Sequence, residues 1–464
     1  MCGILVTKRP ERGPMIKHRG TESHYINLDD THFIHHRLPI QTKDNDEWKQ
    51  PIESEDGILL FNGEIFNYPD EYGSDTEYLK SFFADCPDLE HFRKYKFSEY
   101  KEWDGFWSIV YYNKKTGNFI CFTDPLGKKQ LYINREYEIC SEIKPLFDFY
   151  SMTDTKPQQI IDETYFGSIH KWGYNHDLRT PWSGVLRLDP TKIYSWKKEG
   201  SPDSKIVSTI RNFIFTTKSG DLKEILRTSV KRRLLSKNYP ISVLLSGGLD
   251  STIITALLNE MGADVTYYTI ENNEDKYVKI CEDYYGIKVN RLTYDLTNES
   301  MLKEIYCKWN ETPVDLGSVV PQYHLFDAVA KTGHRIVLSG DGADELFGGY
   351  RRISEYDSRD SDVYHELTYY HLPRLDRMSM AHTIELRNPF LGHDVIRFSK
   401  SCYYPEERAN KEILKTTFKD MVPKEIIERA KVPLKNEKIR TEPLEYRKKV
   451  IEIFKDGMMD YATI

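Results

Sequence analysis

The stretch that most restricts how this chain can fold is Val243-Leu244-Leu245-Ser246-Gly247-Gly248-Leu249-Asp250-Ser251-Thr252. The apolar run Ile241 to Leu245 reads as a short buried strand. A Ser and two Gly come next, and then a helical pattern from Leu249 to about Met261. Glycines at a strand-to-helix turn let the backbone come close to a ligand. The helix start presents unpaired N–H groups and the positive end of a dipole, which together suit an anion such as a phosphate. Ser246, Ser251 and Thr252 add hydroxyl donors. Asp250 adds a hard carboxylate of the kind that holds a nucleotide's Mg²⁺.

Around this unit, strand and helix alternate. Asp221 reads as an N-cap, and Leu222, Ile225, Leu226, Val230 and Leu234 fall at helical spacing behind it. Val265 to Ile270, Lys288 to Thr293 and Arg335 to Leu338 read as further strands. Helices are expected over Asp275 to Tyr285, Glu299 to Trp309 and Pro321 to Lys331. This alternation predicts a doubly wound parallel α/β sheet with helices on both faces. Ligands of such sheets sit at the carboxyl ends of the strands, where Ser246 and Ser339 both lie. The second loop runs Leu338-Ser339-Gly340-Asp341-Gly342-Ala343-Asp344-Glu345. It is too acidic to hold a phosphate unaided, and Asp250 and Asp344 are expected to share a divalent cation.

No Gly-Lys-Ser/Thr comes after the first loop, which excludes the Walker pattern. The loop instead resembles the pyrophosphate-binding loop of the ATP pyrophosphatases, which cleave ATP between its α- and β-phosphates.

The chain starts Met1-Cys2-Gly3-Ile4. Removal of Met1 exposes Cys2, whose free α-amine titrates near pH 8 and can serve its own thiol as general base. Cysteine is also among the most buried residue types, so position alone leaves a structural role open. Beyond this start, short strands alternate with turns: His35-His36-Arg37-Leu38, Leu59 to Asn67 through Asn62-Gly63-Glu64, Trp103 to Val110, and Asp124-Pro125-Leu126-Gly127. Ser74-Asp75-Thr76-Glu77 reads as a helix cap. Strands at this spacing predict an antiparallel layered domain. The region from about Asp148 to Gly220 is turn-rich and without periodicity.

Cys2-Gly3-Ile4, Arg37-Leu38, Asn62-Gly63-Glu64, Ser74-Asp75-Thr76-Glu77 and Asp124-Pro125-Leu126-Gly127 together resemble the class II glutamine amidotransferases. That resemblance implies an N-terminal αββα, N-terminal-nucleophile glutaminase fold. Cys2 would attack the glutamine amide, Asn62 and the Gly63 N–H would hold the oxyanion, Arg37 the α-carboxylate, and Glu64 and Asp75 the α-amino group. A zwitterionic substrate does need one cation and one or two anions in its pocket. Where the family commonly has His-Arg-Gly-Pro-Asp, this chain has His18-Arg19-Gly20-Thr21-Glu22.

Both nucleotide loops, with Arg374-Leu375-Asp376-Arg377-Met378-Ser379-Met380-Ala381-His382, Glu385-Leu386-Arg387-Asn388-Pro389-Phe390-Leu391 and Arg429-Ala430-Lys431-Val432-Pro433-Leu434, resemble the glutamine-dependent asparagine synthetases over nearly the whole chain. The resemblance implies a glutaminase domain with linker over 1–215 and a synthetase domain over 216–464. It implies ATP and Mg²⁺, with Leu244, Ser246, Gly247, Gly248, Asp250, Ser251, Thr269, Ser339 and Gly340 at the nucleotide. Asp250 and Asp344 would hold the metal, Lys431 would stabilise the adenylation transition state, and Asp341 would lie near the acyl acceptor. Glutamine, aspartate and ATP are the expected small-molecule partners, and a homodimer is a family expectation. The family often reads Val-Pro-Phe-Leu-Asp where this chain has Asn388-Pro389-Phe390-Leu391-Gly392, with Asp394 two residues on. A different carboxylate acceptor, or a non-catalytic glutamine or nucleotide sensor, stays open at this level.

Composition narrows the setting. At 464 residues there is room for two or three domains. A net charge of −7 speaks against a nucleic-acid partner. No apolar run reaches the roughly 18 residues of a membrane span, and no basic-then-apolar leader opens the sequence. The seven cysteines are scattered without a Cys-x-x-Cys pair, so a reduced, cytoplasmic compartment is expected. His35-His36 lacks any recognisable metal-ligand spacing and is not expected to bind one.

Overall fold

The computed structural model describes residues 2–41, 49–147, 161–197, 208–211, 216–271, 274–293, 298–314, 317–349, 365–402, 409–429 and 443–462. Its first part holds β1 (Cys2–Thr7), β2 (Glu22–Leu28), β3 (Thr31–Arg37), β4 (Ile52–Glu53), β5 (Gly57–Ile65), β6 (Gly105–Asn113), β7 (Asn118–Thr123), β8 (Tyr132–Asn134), β9 (Ile139–Cys140), β10 (Val185–Arg187), β11 (Lys192–Lys197) and β12 (Ser208–Arg211). They form two six-stranded sheets, ordered β10-β8-β9-β1-β3-β2 and β12-β11-β7-β6-β5-β4.

Side-chain alternation explains how the sheets stack. Successive residues of a strand point to opposite faces. In β1, Ile4 and Val6 join Ile58 and Leu60 of β5 in a core between the sheets. Leu59 and Phe61 of β5 point the other way, onto Leu79, Phe82 and Phe83 of helix α1 (Asp75–Phe83). Leu5 and Ile34 face outward from the first sheet and join Ile16 of the tight helix Pro10–Arg19. Two sheets between helical layers match the expected layered domain. Helix α1 starts at the expected cap, with the Ser74 hydroxyl accepting from the Glu77 N–H at 3.1 Å.

The second part carries β13 (Ile241–Leu244), β14 (Thr266–Ile270), β15 (Val289–Leu292), β16 (Ile336–Leu338) and β17 (Glu385–Arg387). All pair in parallel, in the order β15-β14-β13-β16-β17. Helices α2 (Leu222–Arg232), α3 (Leu249–Glu260), α4 (Asp275–Tyr285), α5 (Val319–Lys331) and α6 (Leu372–Met380) accompany it. From β13 the chain winds one way to β15, then returns to β16 on the other side of β13. The loops of Ser246 and Ser339 therefore leave adjacent strands at the point where the winding reverses.

Three elements differ from the sequence expectation. Strand β17 is the first: three residues, two of them charged, carry no strand signal. It forms by parallel pairing with β16, and its two charged residues, Glu385 and Arg387, are fully buried and pair with each other at 2.6 Å. The helix expected over 299–309 is regular only over Glu299–Lys303 and continues in wider π-type turns over Glu304–Asn310, stopping at Glu311 with φ 54°. The turn-rich region before 220 contains a helix, Glu163–Trp172, which buries Tyr165, Phe166 and Ile169. Among the described residues no helix is long and apolar enough to cross a membrane.

Candidate active site

The antiparallel register of β1 and β3 sets Cys2 opposite Arg37 at one end of the first sheet. Across the sandwich, β5 brings Asn62 to the same end, and its side-chain oxygen accepts the Cys2 backbone N–H at 2.9 Å. The Asn62 amide in turn donates to Ser108 at 3.4 Å. Gly63 has φ +150°, and a Cβ there would lie 2.0 Å from the carbonyl oxygen of Phe106, so no other residue fits. Glu64 accepts from the Gln41 side chain, and Asp75 accepts from the Ile65 N–H at 3.1 Å. Arg37 pairs with Glu22 at 3.2 Å. Cys2, Asn62, Gly63, Glu64, Arg37 and Asp75 are thus gathered within one buried region.

Burial dominates the electrostatics there. It raises the Cys2 thiol above its ordinary value, against the lowering effect of nearby positive charge that includes Arg37. It pushes Asp75 up to about 7, with Glu385 adding like-charge repulsion. Burial and then Glu385 also raise Glu64 well above the carboxylate range. A pocket with two carboxyls held partly protonated is primed to accept an ammonium group, whose charge would ionise them. His35 and His36 are structural: His35 shares a hydrogen bond with the Phe61 carbonyl at 3.0 Å, and His36 one with the Gly13 carbonyl at 2.9 Å. Burial lowers both, to about 3 and about 4.

The second constellation lies at the reversal point of the parallel sheet. Ser246 and Ser251 hydroxyls are 3.1 Å apart, and the Gly248 N–H donates to Ser246 at 3.4 Å. The loop from β16 packs directly on this one: a Cβ at Gly340 would be 2.9 Å from the Asp250 Cβ. The Ser339 hydroxyl donates to Asp341 at 2.5 Å and receives the Asn388 amide at 3.0 Å. Burial raises Asp341, and the neighbouring acids Glu345 and Asp344 add to the rise. Leu244 ends β13, and Thr269 lies one residue past Tyr268, the register partner of Leu244, on β14. Asp250 and Asp344 converge on the Lys411 ammonium between them.

Lys431 lies outside the described residues. Arg429, two residues before it, donates to the Gly247 carbonyl at 2.6 Å and pairs with Glu274 at 2.5 Å. The altered Gly392 faces α2: a Cβ there would be 2.3 Å from the Ser229 hydroxyl. Asp394 pairs with Lys218 at 2.6 Å. Gly392 and Asp394 are thus both engaged in local packing.

The two constellations are joined by residues that sequence reasoning did not single out. Glu385 and Arg387 lie on the same face of β17, and the Arg387 guanidinium sits 5.2 Å from the ring centre of Phe66, the residue after β5. The backbone of β17 holds the other loop, since the Ser339 N–H donates to the Arg387 carbonyl at 3.0 Å. Arg19, fully buried, donates to the Cys2 carbonyl at 3.1 Å and to Asp376 of α6 at 2.9 Å. The only advance signal for any of these was their place inside motifs.

Comparison with known proteins divides the chain in the same way. A glutamine amidotransferase domain model matches residues 1–206, and an asparagine synthase model matches 221–364 and 359–458. A Methanocaldococcus jannaschii relative of the glutamine-hydrolysing asparagine synthetase type is 27% identical over 329 residues, covering 64% of this chain and 60% of that protein. The root asparagine synthetase (glutamine-hydrolysing) of Pisum sativum is 25% identical, covering 93% of this chain and 77% of its own length. Asparagine synthetase (glutamine-hydrolysing) 1 of Arabidopsis thaliana is 24% identical over the same shares.

Proposed function

Because the chain belongs to the asparagine synthase family, with a glutamine amidotransferase domain ahead of the synthase match, we propose that it makes asparagine from aspartate, ATP and glutamine at two sites. The glutaminase part is assigned to 1–215 and the synthetase part to 216–464.

At the first site, Arg37 pairs with the α-carboxylate of glutamine, and Glu64 and Asp75 take up its α-ammonium. Removal of Met1 leaves the Cys2 amine free to accept the thiol proton, and Asn62 is already hydrogen-bonded to that nitrogen. The thiolate attacks the side-chain amide carbon, with the oxyanion held by Asn62 and the Gly63 N–H. The proton passes to the leaving nitrogen, ammonia departs, and water hydrolyses the thioester to glutamate.

At the second site, the first loop and Ser339 with Gly340 receive ATP. Asp250 and Asp344 would hold Mg²⁺ together with phosphate oxygens, since two close carboxylates from separate loops suit a hard cation that keeps further oxygen ligands. Bound there, the metal would neutralise charge developing on the leaving pyrophosphate. The aspartate side-chain carboxylate attacks the α-phosphorus, with Lys431 stabilising the transition state and Asp341 beside the acceptor. Ammonia attacks the acyl carbon, and AMP leaves. Travel inside the protein keeps ammonia from being protonated in bulk water.

The observation that carries this reading is the double attachment of β17, to Phe66 beside the first site and to Ser339 in the second. One strand in contact with both sites suits a reaction in which ammonia made at one is used at the other. The test is to supply ATP, Mg²⁺, glutamine and aspartate and to assay asparagine, AMP and pyrophosphate together. Equal amounts of all three support the proposal. Glutamate release with pyrophosphate formed only on other carboxylates would assign a different acceptor.

A further inference from the structure

We infer that Lys411 fills the metal position between Asp250 and Asp344 while no nucleotide is bound, so that the divalent cation enters only as its complex with the nucleotide. This rests on the assignment of the Ser246 loop as the nucleotide site. The Lys411 ammonium donates to both Asp250 oxygens at 2.6 and 2.5 Å and pairs with Asp344 at 2.5 Å. Its side chain is only 8% exposed. One cation bridges two carboxylates that come from separate loops, as a metal ion would.

The surroundings are shaped for this contact. Asn410 and Lys411 adopt consecutive left-handed conformations, φ 57° and 60°, which non-glycine residues seldom do. Such strain persists where the surrounding structure imposes it and is often tied to function. The Asn410 N–H donates to the Gly348 carbonyl at 3.1 Å, fixing the turn against the acidic loop. At Gly349 a Cβ would lie 1.8 Å from the Asp344 oxygen and 2.4 Å from Lys411 Cε, so the lysine reaches its position only past a glycine.

The consequence is a competition. Among the described residues no group of three His, Cys, Asp or Glu side chains gathers to hold a metal. A bare divalent ion would have to expel the ammonium and would gain two carboxylates, short of the six or more oxygens it prefers. A metal arriving on a nucleotide brings phosphate oxygens with it, and their negative charge compensates the displaced lysine. Lys411 therefore selects the metal–nucleotide complex over the free metal.

The test counts bound Mn²⁺ by electron paramagnetic resonance on the full chain, without substrates and then with an α,β-methylene ATP analogue that cannot be cleaved. The wild type should bind Mn²⁺ at this site only with the analogue. Lys411→Met should bind one Mn²⁺ without nucleotide, at least about tenfold more tightly than the wild type, because the competing ammonium is gone. Adding Asp344→Asn to Lys411→Met should remove the gained site. Lys411→Gln serves if the Met variant does not fold. Equal affinity of wild type and variant for Mn²⁺ alone, with the analogue still bound, overturns the role of Lys411. Failure of both proteins to bind the analogue at all overturns the nucleotide-site assignment instead.

Discussion

The backbone carbonyl of Arg387 accepts the Ser339 N–H at 3.0 Å, while the Arg387 side chain reaches back across the domain boundary to Phe66. One residue therefore touches the Ser339 loop with its backbone and Phe66, just after β5, with its guanidinium. Arg387 also donates to the carbonyls of Arg233 and Leu235, both at 2.7 Å. Arg387→Met removes the guanidinium that pairs with Glu385 inside the protein. A loss of about 3–5 kcal/mol in stability is expected, as when one partner of a buried pair is removed. Denaturant unfolding monitored by fluorescence measures it, and a loss below about 1 kcal/mol would mean that the Glu385–Arg387 pair contributes little to stability.

Cys2→Ala separates the two activities. Glutamine-dependent product formation should fall by about three orders of magnitude or more, since the nucleophile is gone. Ammonia-dependent formation should stay within about twofold of the wild type, because Cys2 lies in the other constellation. Steady-state assays with each nitrogen source decide it, and parallel loss of both would speak against two sites.

Gly63→Ala forces a methyl group toward the Phe106 carbonyl, 2.0 Å from where its carbon would sit. Overpacking of this kind costs about 1–3 kcal/mol or more. Since Asn62 is the adjacent residue, glutaminase activity should fall further than stability alone explains. Thermal unfolding and glutamate release measured on the same preparation separate the two effects.

Asp75 supplies a pH test. Its folded-state carboxyl is pushed up to about 7, above its ordinary value. The folded protein therefore holds this proton more tightly than the unfolded chain. The resulting stabilisation is present at low pH and is lost as pH rises toward 7. Glutamine's ammonium needs the ionised form, so glutamine binding should weaken as pH falls below about 7, by up to about tenfold per pH unit. Calorimetry with the Cys2→Ala variant, which binds without turnover, measures this. Asp75→Asn should bind more weakly, and the pH dependence that remains should be that of Glu64, whose carboxyl burial also raises.

Much of this is legible in the chain because it depends on local pattern. The strand–loop–helix of Ser246 to Thr252, the cap at Ser74, and the alternation from Asp221 to Leu338 are short-range consequences of apolar spacing, glycine and capping hydroxyls. The same holds for Cys2 and Asp75, at a strand start and a helix start, whereas Asn62-Gly63, which reads as a turn, lies inside β5. The helix Glu163–Trp172 is not legible in this way, because its aromatic residues read equally well as turn or strand.

The sequence by itself determined the two architectures, the two loops and the residue types that bring their chemistry, since each is written within a few consecutive positions. Only the tertiary structure decided which charges meet. Lys411 reaches Asp250 across 161 positions, and Arg19 reaches Asp376 across 357. Read in line, such residues are indistinguishable from solvated helix surface. Folding removes them from water, and a buried charge then has to find its partner wherever the packing of the two domains brings one.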